Sequence, residues 1–468
     1  MSNDPSKTLP AVDAMREDWA IVDPLMGGTR AMREASEALL PKWPKEEACD
    51  YRKRLSLSTL FPAYSETVKN NTGRVFAEPI VLGDDVPPAI GDLTQDFDRQ
   101  DNNLQVWAKS FFTQALSHGL CHALAEYPNI KPKSDTVDGE AQLVTLADAQ
   151  AVKARPYAIL IRPQQVIGWR SSNEGGEHIL TQFRYMESVE EEDGLFGVKC
   201  INQIRVLTPG AWATYREKVD DKGVKAWVLD DDGETLLGHI PLTTLYAERT
   251  GFMTAKPPLL ELAYLNAKHW QSQSDQDNIL HVARVPMLAI SGIDDDTWEL
   301  KVGTASATKL PKDGDMKWVE HTGASIEAGR TSLADLEDQM RAAGAKLLQK
   351  DKQAVKTAAQ AEEEAAQELS PLQTMASGLE DALDQILQHF AELSGLPEGG
   401  HVQVSGNFET DYIPEVSIPA LIQLNLASKI SDQTLFSELQ RRNVVSQDLD
   451  WTEESAKIAE QGPALGTL

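Results

Sequence analysis

Two long amphipathic helices between Ser332 and Gly395 constrain the fold more than any other part of the sequence. The first is predicted to begin at Ser332, with Asp335 three residues later as a variant of the capping box. The second is predicted to begin at Ser370, with proline next, Gln373 at the capping-box position and Gly395 just past its end. Each apolar stripe therefore needs a partner surface, in its own chain or in a neighbouring one. Steps of three and four put the stripes on one face: Leu333, Leu336, Met340, Ala343 and Leu347; then Leu372, Met375, Leu379, Ala382, Ile386, Phe390 and Leu393.

A third long helix precedes these two, and its middle carries no apolar residue. The pattern predicts a helix from Pro257 to about Val285 with apolar positions towards both ends. Its central segment, Gln271–Asn278, is wholly polar. A helix buried in one globular core would be apolar there. We therefore expect it to cross an open region or to pack against copies of itself.

The net charge of −28 over 468 residues limits the partners of this chain. Broad contact with nucleic acid needs clustered Lys and Arg to neutralise phosphates, and an acidic surface disfavours it. Solubility alone would account for the charge. The alternative is a surface that repels DNA, so that the polymer slides past without adhering.

Composition otherwise predicts an ordinary soluble protein. The chain is 41% hydrophobic and 25% charged, and its 468 residues predict two to four domains. No apolar run approaches the roughly 20 residues of a membrane span, and the first residues lack the basic-then-apolar order of a secretory signal. Cys49, Cys121 and Cys200 are widely spaced and odd in number, which indicates reduced thiols and a cytoplasmic environment.

The first 126 residues are predicted to be mostly helical. Helices are expected over 18–42, 46–70 and 103–126, after a disordered leader over 1–15. Pro24 and the Gly27-Gly28 pair interrupt the first of them. A glycine pair can cradle phosphate, but this one lacks the spacing and the lysine of a phosphate-binding loop, so a hinge is favoured.

Residues 155–250 are predicted to form a mostly antiparallel β domain, because short β-rich runs alternate with turn signals such as Glu192-Asp-Gly. After Gly395, a strand is expected over 401–408, helices over 418–430, 432–442 and 451–460, and a loose tail beyond Gly462. The β-rich runs are Tyr157–Ile161, Gln165–Trp169, His178–Met186, Val198–Leu207, Trp212–Glu217, Ala226–Leu229 and His239–Leu245.

Candidate chemical sites in the sequence are weak. His118 and His122 could share a metal if both lay on one helix, but position 119 is glycine where a zinc protease needs glutamate, and no third ligand follows. The acidic runs 230–232 and 294–296 lack the register of a calcium loop, so solvated turns are favoured. The sequence has no GxSxG, Walker lysine, CxxC or GxGxxG motif. A structural or assembly protein is favoured, while an enzyme built from scattered residues remains an alternative.

A family resemblance rests on segments in a fixed order over roughly residues 19–410. They are LMGGTRAMREASEALLPKWPKEEACDYRKRL and GRVF, then YAILIRPQQVIGWR and HIPLTTLYAERTG, then PPLLELAYLNAKHWQSQSDQDNILHVARVPMLAISG and AGAKLLQKDKQAVKTAAQAEEEAAQELSPLQTMASGLEDALDQILQHFAELSG. In their order and spacing the chain resembles portal proteins of tailed bacteriophages, which form the head-to-tail connector. No single segment is as specific as a zinc motif.

The resemblance implies an α+β subunit of portal type, with a mixed wing domain of helices plus antiparallel β, long stem helices, a small α/β clip, a long channel-side helix and an α-helical crown. The implied regions are a wing over 1–256, stem helices over 257–292 and 326–348 with the clip over 293–325 between them, a tunnel-loop region over 349–369, the long helix over 370–395, a wing strand over 396–417, and the crown and tail over 418–468.

The resemblance also implies the assembly. Such subunits form a homo-oligomeric ring, expected to hold twelve copies, around a channel for double-stranded DNA at one capsid vertex of a virion made in the host cytoplasm. The implied partners are the terminase large subunit, a head–tail adaptor, and major capsid and scaffolding proteins, with no membrane. No catalytic residue, metal or cofactor is implied, and the packaging ATPase would be another chain, since this one lacks a phosphate-binding loop.

The charged bridge over 349–369 supplies the DNA-facing candidates. Lys350, Lys352 and Lys356 precede an acidic run that includes Glu362–Glu364. If the bridge projects into the channel, the lysines would touch phosphates transiently and the glutamates would limit adhesion. The alternative for each lysine is a solvated helix face. For the whole chain, the alternatives to a portal are a soluble two-domain enzyme and a non-portal structural adaptor.

Overall fold

The computed structural model describes residues 4–128, 152–219, 223, 225–235, 237–283, 287–291, 315–319, 324–348, 370–408, 421–427, 429–441, 444–445 and 449–461. The chain divides into two compact units, Met1–Phe408 and Glu409–Leu468. Helices and antiparallel strands make the first unit, so the fold class is α+β, as the sequence predicts. None of the described helices is long and apolar enough to cross a membrane.

Three helices open the chain: α1 (Pro10–Ala35), α2 (Ala48–Leu57) and α3 (Ala63–Val75). The predicted leader over 1–15 is wrong in its described part, because α1 begins at Pro10 and the Leu9 N–H donates to the Ile167 carbonyl at 3.0 Å. Gly28 kinks α1 at φ 76°, within the glycine pair where an interruption is predicted, whereas Pro24 lies inside the helix. The single helix predicted over 46–70 is also wrong, because the chain leaves the helical conformation at Ser58 and α3 starts only after Pro62.

Gly119 converts a helix into a strand. After α4 (Pro88–Leu93), α5 (Leu104–His118) ends where Gly119 adopts a φ of 97°, and β2 (Leu120–Glu126) follows at once. A Cβ at position 119 would lie 2.6 Å from the main chain of Lys256, so only glycine fits this close approach. The helix predicted over 103–126 is therefore wrong beyond His118. Because β2 is buried on both faces, its apolar run resembles a continued helix in sequence.

Two antiparallel sheets carry the β-rich part. The first has the order β3-β2-β9, and the second runs β4-β5-β6-β7-β8 in chain order. The prediction of a mostly antiparallel β domain is confirmed, and every predicted run overlaps a strand. The strands are β3 (Tyr157–Ile161), β4 (Val166–Glu174), β5 (Glu177–Asp193), β6 (Gly197–Thr208), β7 (Ala211–Val219), β8 (Lys225–Glu234) and β9 (Leu242–Tyr246), followed by the pair β10 (Arg249–Gly251) and β11 (Thr254–Ala255).

Three long helices follow. They are α6 (Leu260–Ala283), α7 (Ala324–Ala345) and α8 (Pro371–Ser394), with the strands β12 (Met287–Ser291) and β13 (Asp315–Val319) between the first two. The prediction for α8 is confirmed: Ser370 and Gln373 form its capping box, and Gly395 is left-handed at its end. The predicted start of α7 at Ser332 is wrong, since the helix begins at Ala324.

Two apolar clusters meet at β2. Cys121, Ala123 and Ala125 face a cluster formed with α1, α3, α5, α6 and α8. Leu120 and Leu124 face a second cluster formed with the start of α1 and the five-stranded sheet. Side chains alternate across a strand. The strand therefore ties the helical core to the sheet.

The strand β14 (Val402–Gln403) returns after α8 and is bonded along both edges. On one side it pairs with β1 (Val81–Leu82) in antiparallel register. On the other side the N–H groups of Val402 and Val404 donate to the carboxylates of Asp384 and Glu380, each at 2.7 Å. Four helical residues rise about 6 Å and two strand residues about 6.6 Å, so carboxylates one turn apart match alternate strand amides.

The second unit is helical in its described part. It contains a helical turn over 421–426, then α9 (Asp432–Arg441) and α10 (Trp451–Gln461). The Phe436 and Trp451 rings lie 5.3 Å apart and join α9 to α10. These elements agree with the helices predicted over 418–430, 432–442 and 451–460.

Candidate functional site

The candidate functional site is the helical hairpin formed by α6 and α7. Gln276 donates from Nε2 to the Ile326 carbonyl at 2.9 Å, and His269 Nε2 lies 3.8 Å from Glu337 Oε1. The partners of successive α6 residues run backwards along α7, so the two helices are antiparallel.

Between the helices in sequence, β12 pairs with β13 from Met287↔Val319 to Ser291↔Asp315. The chain thus leaves along α6, forms an antiparallel strand pair and returns along α7.

The close approach of the two helices depends on Gly329. A Cβ at this position would lie 2.0 Å from Oε1 of Gln276. The Gln276 amide occupies that space and is buried, with its nitrogen donating across to α7. A small residue in one helix therefore makes room for a polar contact from the other.

The polar residues at the centre of α6 form hydrogen bonds with other segments of the same chain. Ser58 donates from Oγ to Oγ of Ser274 at 3.0 Å, and Gln271 donates from Nε2 to the Leu39 carbonyl at 3.0 Å. Ser274 and Gln276 are both buried. The expectation that this segment crosses an open region or packs against copies is thus wrong for Gln271, Ser274 and Gln276, because their side chains form hydrogen bonds with Leu39, Ser58 and Ile326 of the same chain.

The apolar stripes of α7 and α8 are also covered within the chain. Leu336 and Met340 on α7 are 3% and 2% exposed, and Leu379 and Ile386 on α8 are fully buried. Of the two partner surfaces expected for each stripe, the one within the same chain is therefore present. Met340 and Leu347 from the first stripe lie in the same apolar cluster as Leu379 and Ile386.

A buried ion pair lies beside α6. Arg54 on α2 donates from Nε and Nη2 to the two carboxylate oxygens of Glu46 at 2.8 and 2.9 Å, and both side chains are 5% exposed. These hydrogen bonds lower the pKa of Glu46. The Arg54 guanidinium also lies 4.1 Å from the centre of the Trp43 ring. A cavity of about 610 Å³ lies between this pair and the α6 residues Ser274 and His281.

The DNA-facing candidates Lys350, Lys352 and Lys356 lie outside the described residues. So does most of the predicted clip over 293–325, of which 315–319 and the start of α7 are described. The acidic run 294–296 is likewise outside, whereas 230–232 belongs to β8.

The histidine pair of the sequence is separated by the end of α5. His118 Nε2 lies 2.9 Å from Asp23 Oδ1, and His122 on β2 has Nδ1 2.9 Å from Thr244 Oγ1. Burial lowers the pKa of His122 to about 3, so this ring is neutral. The two histidines serve different polar contacts and do not converge.

A different histidine pair converges with a carboxylate. His239, before β9, approaches His389 and Glu392 on α8. Sequence reasoning did not single out these residues. The available signal was the spacing of His389 and Glu392, which are three apart and therefore share a helix face. His239 is distant in sequence and only the fold brings it there.

Comparison with known proteins gives one family match. Residues 258–394 match the model of a family described as a domain of unknown function (DUF4055). The matched range begins just before α6 and ends with the last residue of α8, so it contains the α6–α7 hairpin and the long capped helix. No curated protein matches the sequence.

Solved structures of phage-like particles show weak similarity. The virion of a native gene transfer agent (GTA) particle matches with 12% identity and a TM-score of 0.38 over 85% of this chain and 89% of that chain. The neck of the native GTA particle, computed with C12 symmetry, matches with 14% identity and a TM-score of 0.40 over 79% and 86%. The neck of the empty particle, computed with C6 symmetry, matches with 12% identity and a TM-score of 0.40 over 89% and 95%. At these scores the similarities establish neither a shared fold nor a shared function.

Proposed function

We propose that this chain is the subunit of a phage-type portal, a ring-shaped channel at one capsid vertex through which double-stranded DNA is packaged and ejected. The sequence resemblance over roughly residues 19–410 suggests the family. The observation that carries the proposal is the α6–α7 hairpin, with β12 and β13 between its helices. In this proposal the ring is a virion component without catalytic activity.

The order of elements around the hairpin supports the proposal. In a portal subunit the chain runs along one stem helix, through the clip, back along the second stem helix, through the tunnel loop and into a long helix. Here α6, the β12–β13 pair, α7, the charged segment over 349–369 and α8 follow in that order. We assign them to stem, clip, stem, tunnel loop and channel-side helix. The wing would then be residues 1–256 with the strand segment over 396–417, and the crown 418–468.

The charge of the chain suits a channel that must not retain its cargo. DNA carries one negative charge per roughly 1.7 Å of duplex, and a net charge of −28 on each subunit repels it. Transient contacts would fall to Lys350, Lys352 and Lys356. The proposal places the terminase large subunit, the head–tail adaptor, and the major capsid and scaffolding proteins as external partners.

Particle size and shape test the proposal most directly. We expect purified full-length chain to form a ring with a central hole in negative-stain micrographs. Light scattering should give close to twelve times the 51.5-kDa chain mass. A chain that stays monomeric across salt and protein concentration, and in the presence of scaffolding protein, would contradict the portal assignment. It would favour an enzyme or an adaptor.

The bridge lysines have their own test. We expect the triple variant Lys350→Ala, Lys352→Ala and Lys356→Ala to form rings but to change the amount of DNA packaged or retained. The matched control replaces Lys69, Lys109 and Lys268 by alanine. These lysines are exposed on α3, α5 and α6, so the control removes the same number of positive charges away from the bridge. If the bridge variant packages as much DNA as wild type, the role assigned to these lysines is wrong, while the proposal of a ring is unaffected.

A further inference from the structure

We propose that His239, His389 and Glu392 form a binding site for a divalent transition-metal ion of the zinc class. The site joins the end of α8 to the segment that leads into β9. It is independent of the portal assignment, because it rests only on side chains within the first unit.

The three side chains converge at metal-site spacing. Oε2 of Glu392 lies 3.3 Å from His239 Nε2 and 3.7 Å from His389 Nδ1, and one ligand atom from each residue lies within 4.8 Å of the others. Ligands of a tetrahedral zinc ion at bond lengths of about 2.0–2.1 Å are about 3.3 Å apart. Small side-chain adjustments would bring all three atoms to that separation.

Helix geometry supplies two of the ligands. His389 and Glu392 are one turn apart in the last turns of α8, on the same face. The last carbonyls of a helix carry partial negative charge, which favours a cation at this end. The third ligand comes from another element, so an ion would join α8 to the edge of the three-stranded sheet through His239 and β9.

Two buried polar atoms in the cluster lack a hydrogen bond. Among the described residues, neither Nδ1 of His389 nor Oε2 of Glu392 has a hydrogen-bond partner of suitable geometry. Leaving such groups unpaired costs about 1–3 kcal/mol each. A cation between the two atoms would satisfy both.

The far side of the His389 ring suits this role. Nε2 lies 3.5 Å from the side-chain amide nitrogen of Gln385. A half-turn of that amide would place its oxygen to accept the Nε2 proton, which fixes the tautomer with Nδ1 free to coordinate.

The ligand set selects the kind of ion. Two imidazoles and one carboxylate suit zinc and similar transition metals, whereas calcium and magnesium prefer oxygen ligands. Three protein ligands leave a fourth position for water. Solvent has access because the His239 side chain is 48% exposed and lines a cavity of about 300 Å³.

Titration of the full-length chain with zinc chloride tests the site. After removal of bound metal with a chelator, we expect one saturable zinc equivalent per chain by calorimetry and a rise in Tm on zinc addition. Magnesium chloride at the same concentration should give neither effect. Failure of the wild-type chain to bind zinc saturably would overturn the proposal.

Ligand variants locate the ion. His239→Ala, at a half-exposed position, and Glu392→Gln should each weaken zinc binding by at least about 10-fold, the effect that even a change behind the ligands produces. Both should lose the zinc-dependent rise in Tm. His281→Ala, an exposed histidine on α6, is the matched control and should bind as wild type does. Wild-type zinc affinity in His239→Ala would show that the ion binds elsewhere and overturn the assignment.

Discussion

Asn266 on α6 accepts the main-chain N–H of Tyr64 through Oδ1 at 3.0 Å, while its Nδ2 donates to the Phe61 carbonyl at 2.8 Å. One buried side chain thus satisfies the two main-chain groups that flank the start of α3. Removing the amide would leave the buried Tyr64 N–H without an acceptor, while the Phe61 carbonyl keeps the Ala63 N–H at 2.9 Å. We expect Asn266→Ala to lower the free energy of unfolding by about 1–3 kcal/mol.

Urea denaturation followed by circular dichroism measures this change. Lys268→Ala is the matched control, because Lys268 is exposed on the same helix. That control should stay within about 0.5 kcal/mol of wild type. Equal stability of the two variants would show that water replaces the Asn266 amide at no cost.

The Glu46–Arg54 pair should be sensitive to loss of either charge. Glu46→Gln keeps the shape of the side chain but removes the charge that is paired with the buried Arg54 guanidinium. We expect the free energy of unfolding to fall by about 3 kcal/mol, because removing one partner of a buried ion pair leaves the other charge uncompensated. Glu47→Gln, at the exposed neighbouring position, is the control for thermal and urea unfolding.

The same pair gives an acid dependence. The pKa of Glu46 is lowered in the fold from an ordinary value of 4.5, chiefly by hydrogen bonds from Arg54. Its stabilising contribution is therefore present above that ordinary value and is lost as pH falls through the lowered one. The stability gap between wild type and Glu46→Gln should narrow in that acidic range. A gap that does not change there would contradict the assignment.

Gly378 offers a stabilising substitution. It lies inside α8, and a Cβ built on it meets no atom within 4 Å. Alanine loses less backbone entropy on folding than glycine, so Gly378→Ala should raise the free energy of unfolding by about 0.5–1 kcal/mol. The contrasting variant is Gly399→Ala, whose Cβ would lie 2.3 Å from the carbonyl carbon of Leu387. It should lower Tm, and a rise in both variants would refute the steric argument.

The contact between His401 and Asp85 should depend on pH. The hydrogen bond to Asp85 raises the pKa of His401 above 6.5, helped by the charges of Asp384 and Glu398, and the same bond lowers the pKa of Asp85 below 3.8. The contribution of protonated His401 to the free energy of unfolding is therefore complete below pH 6.5 and is lost as the pH rises through its raised pKa. In acid it is lost as pH falls through the lowered pKa of Asp85.

Comparison of wild type with His401→Gln tests this window. The urea midpoint of wild type should exceed that of the variant at about pH 5.5, and the difference should shrink at about pH 9. His281→Gln controls for loss of an exposed histidine. A difference of equal size at both pH values would mean that His401 acts only through its shape.

Local signals predicted the parts of this fold that depend on local chemistry. The capping box at Ser370 and the left-handed Gly395 fix the two ends of α8, and each signal involves only residues that are close together in sequence. The start of α7 was missed because its first two turns carry little of the apolar stripe. There the helix contacts α6 through Gly329 and the Ile326 carbonyl, which have no apolar signature.

The features that the sequence did not predict depend on contacts between residues that are distant in the chain. A strand buried on both faces, such as β2, has a continuous apolar run that periodicity cannot separate from a helix. The covering of the α7 stripe within the same chain depends on helices that are distant in sequence. The convergence of His239 with His389 and Glu392 depends on the packing of α8 near β9. The candidate lysines of the bridge remain predictions.

The bonding of β14 along both edges has a consequence for assembly. A strand with a free row of amides is a template onto which another chain can add. Here Asp384 and Glu380 occupy the donors of Val402 and Val404, and β1 occupies the opposite edge. The carboxylates of α8 and the pairing with β1 thus protect both edges of β14 from pairing with a strand of another chain.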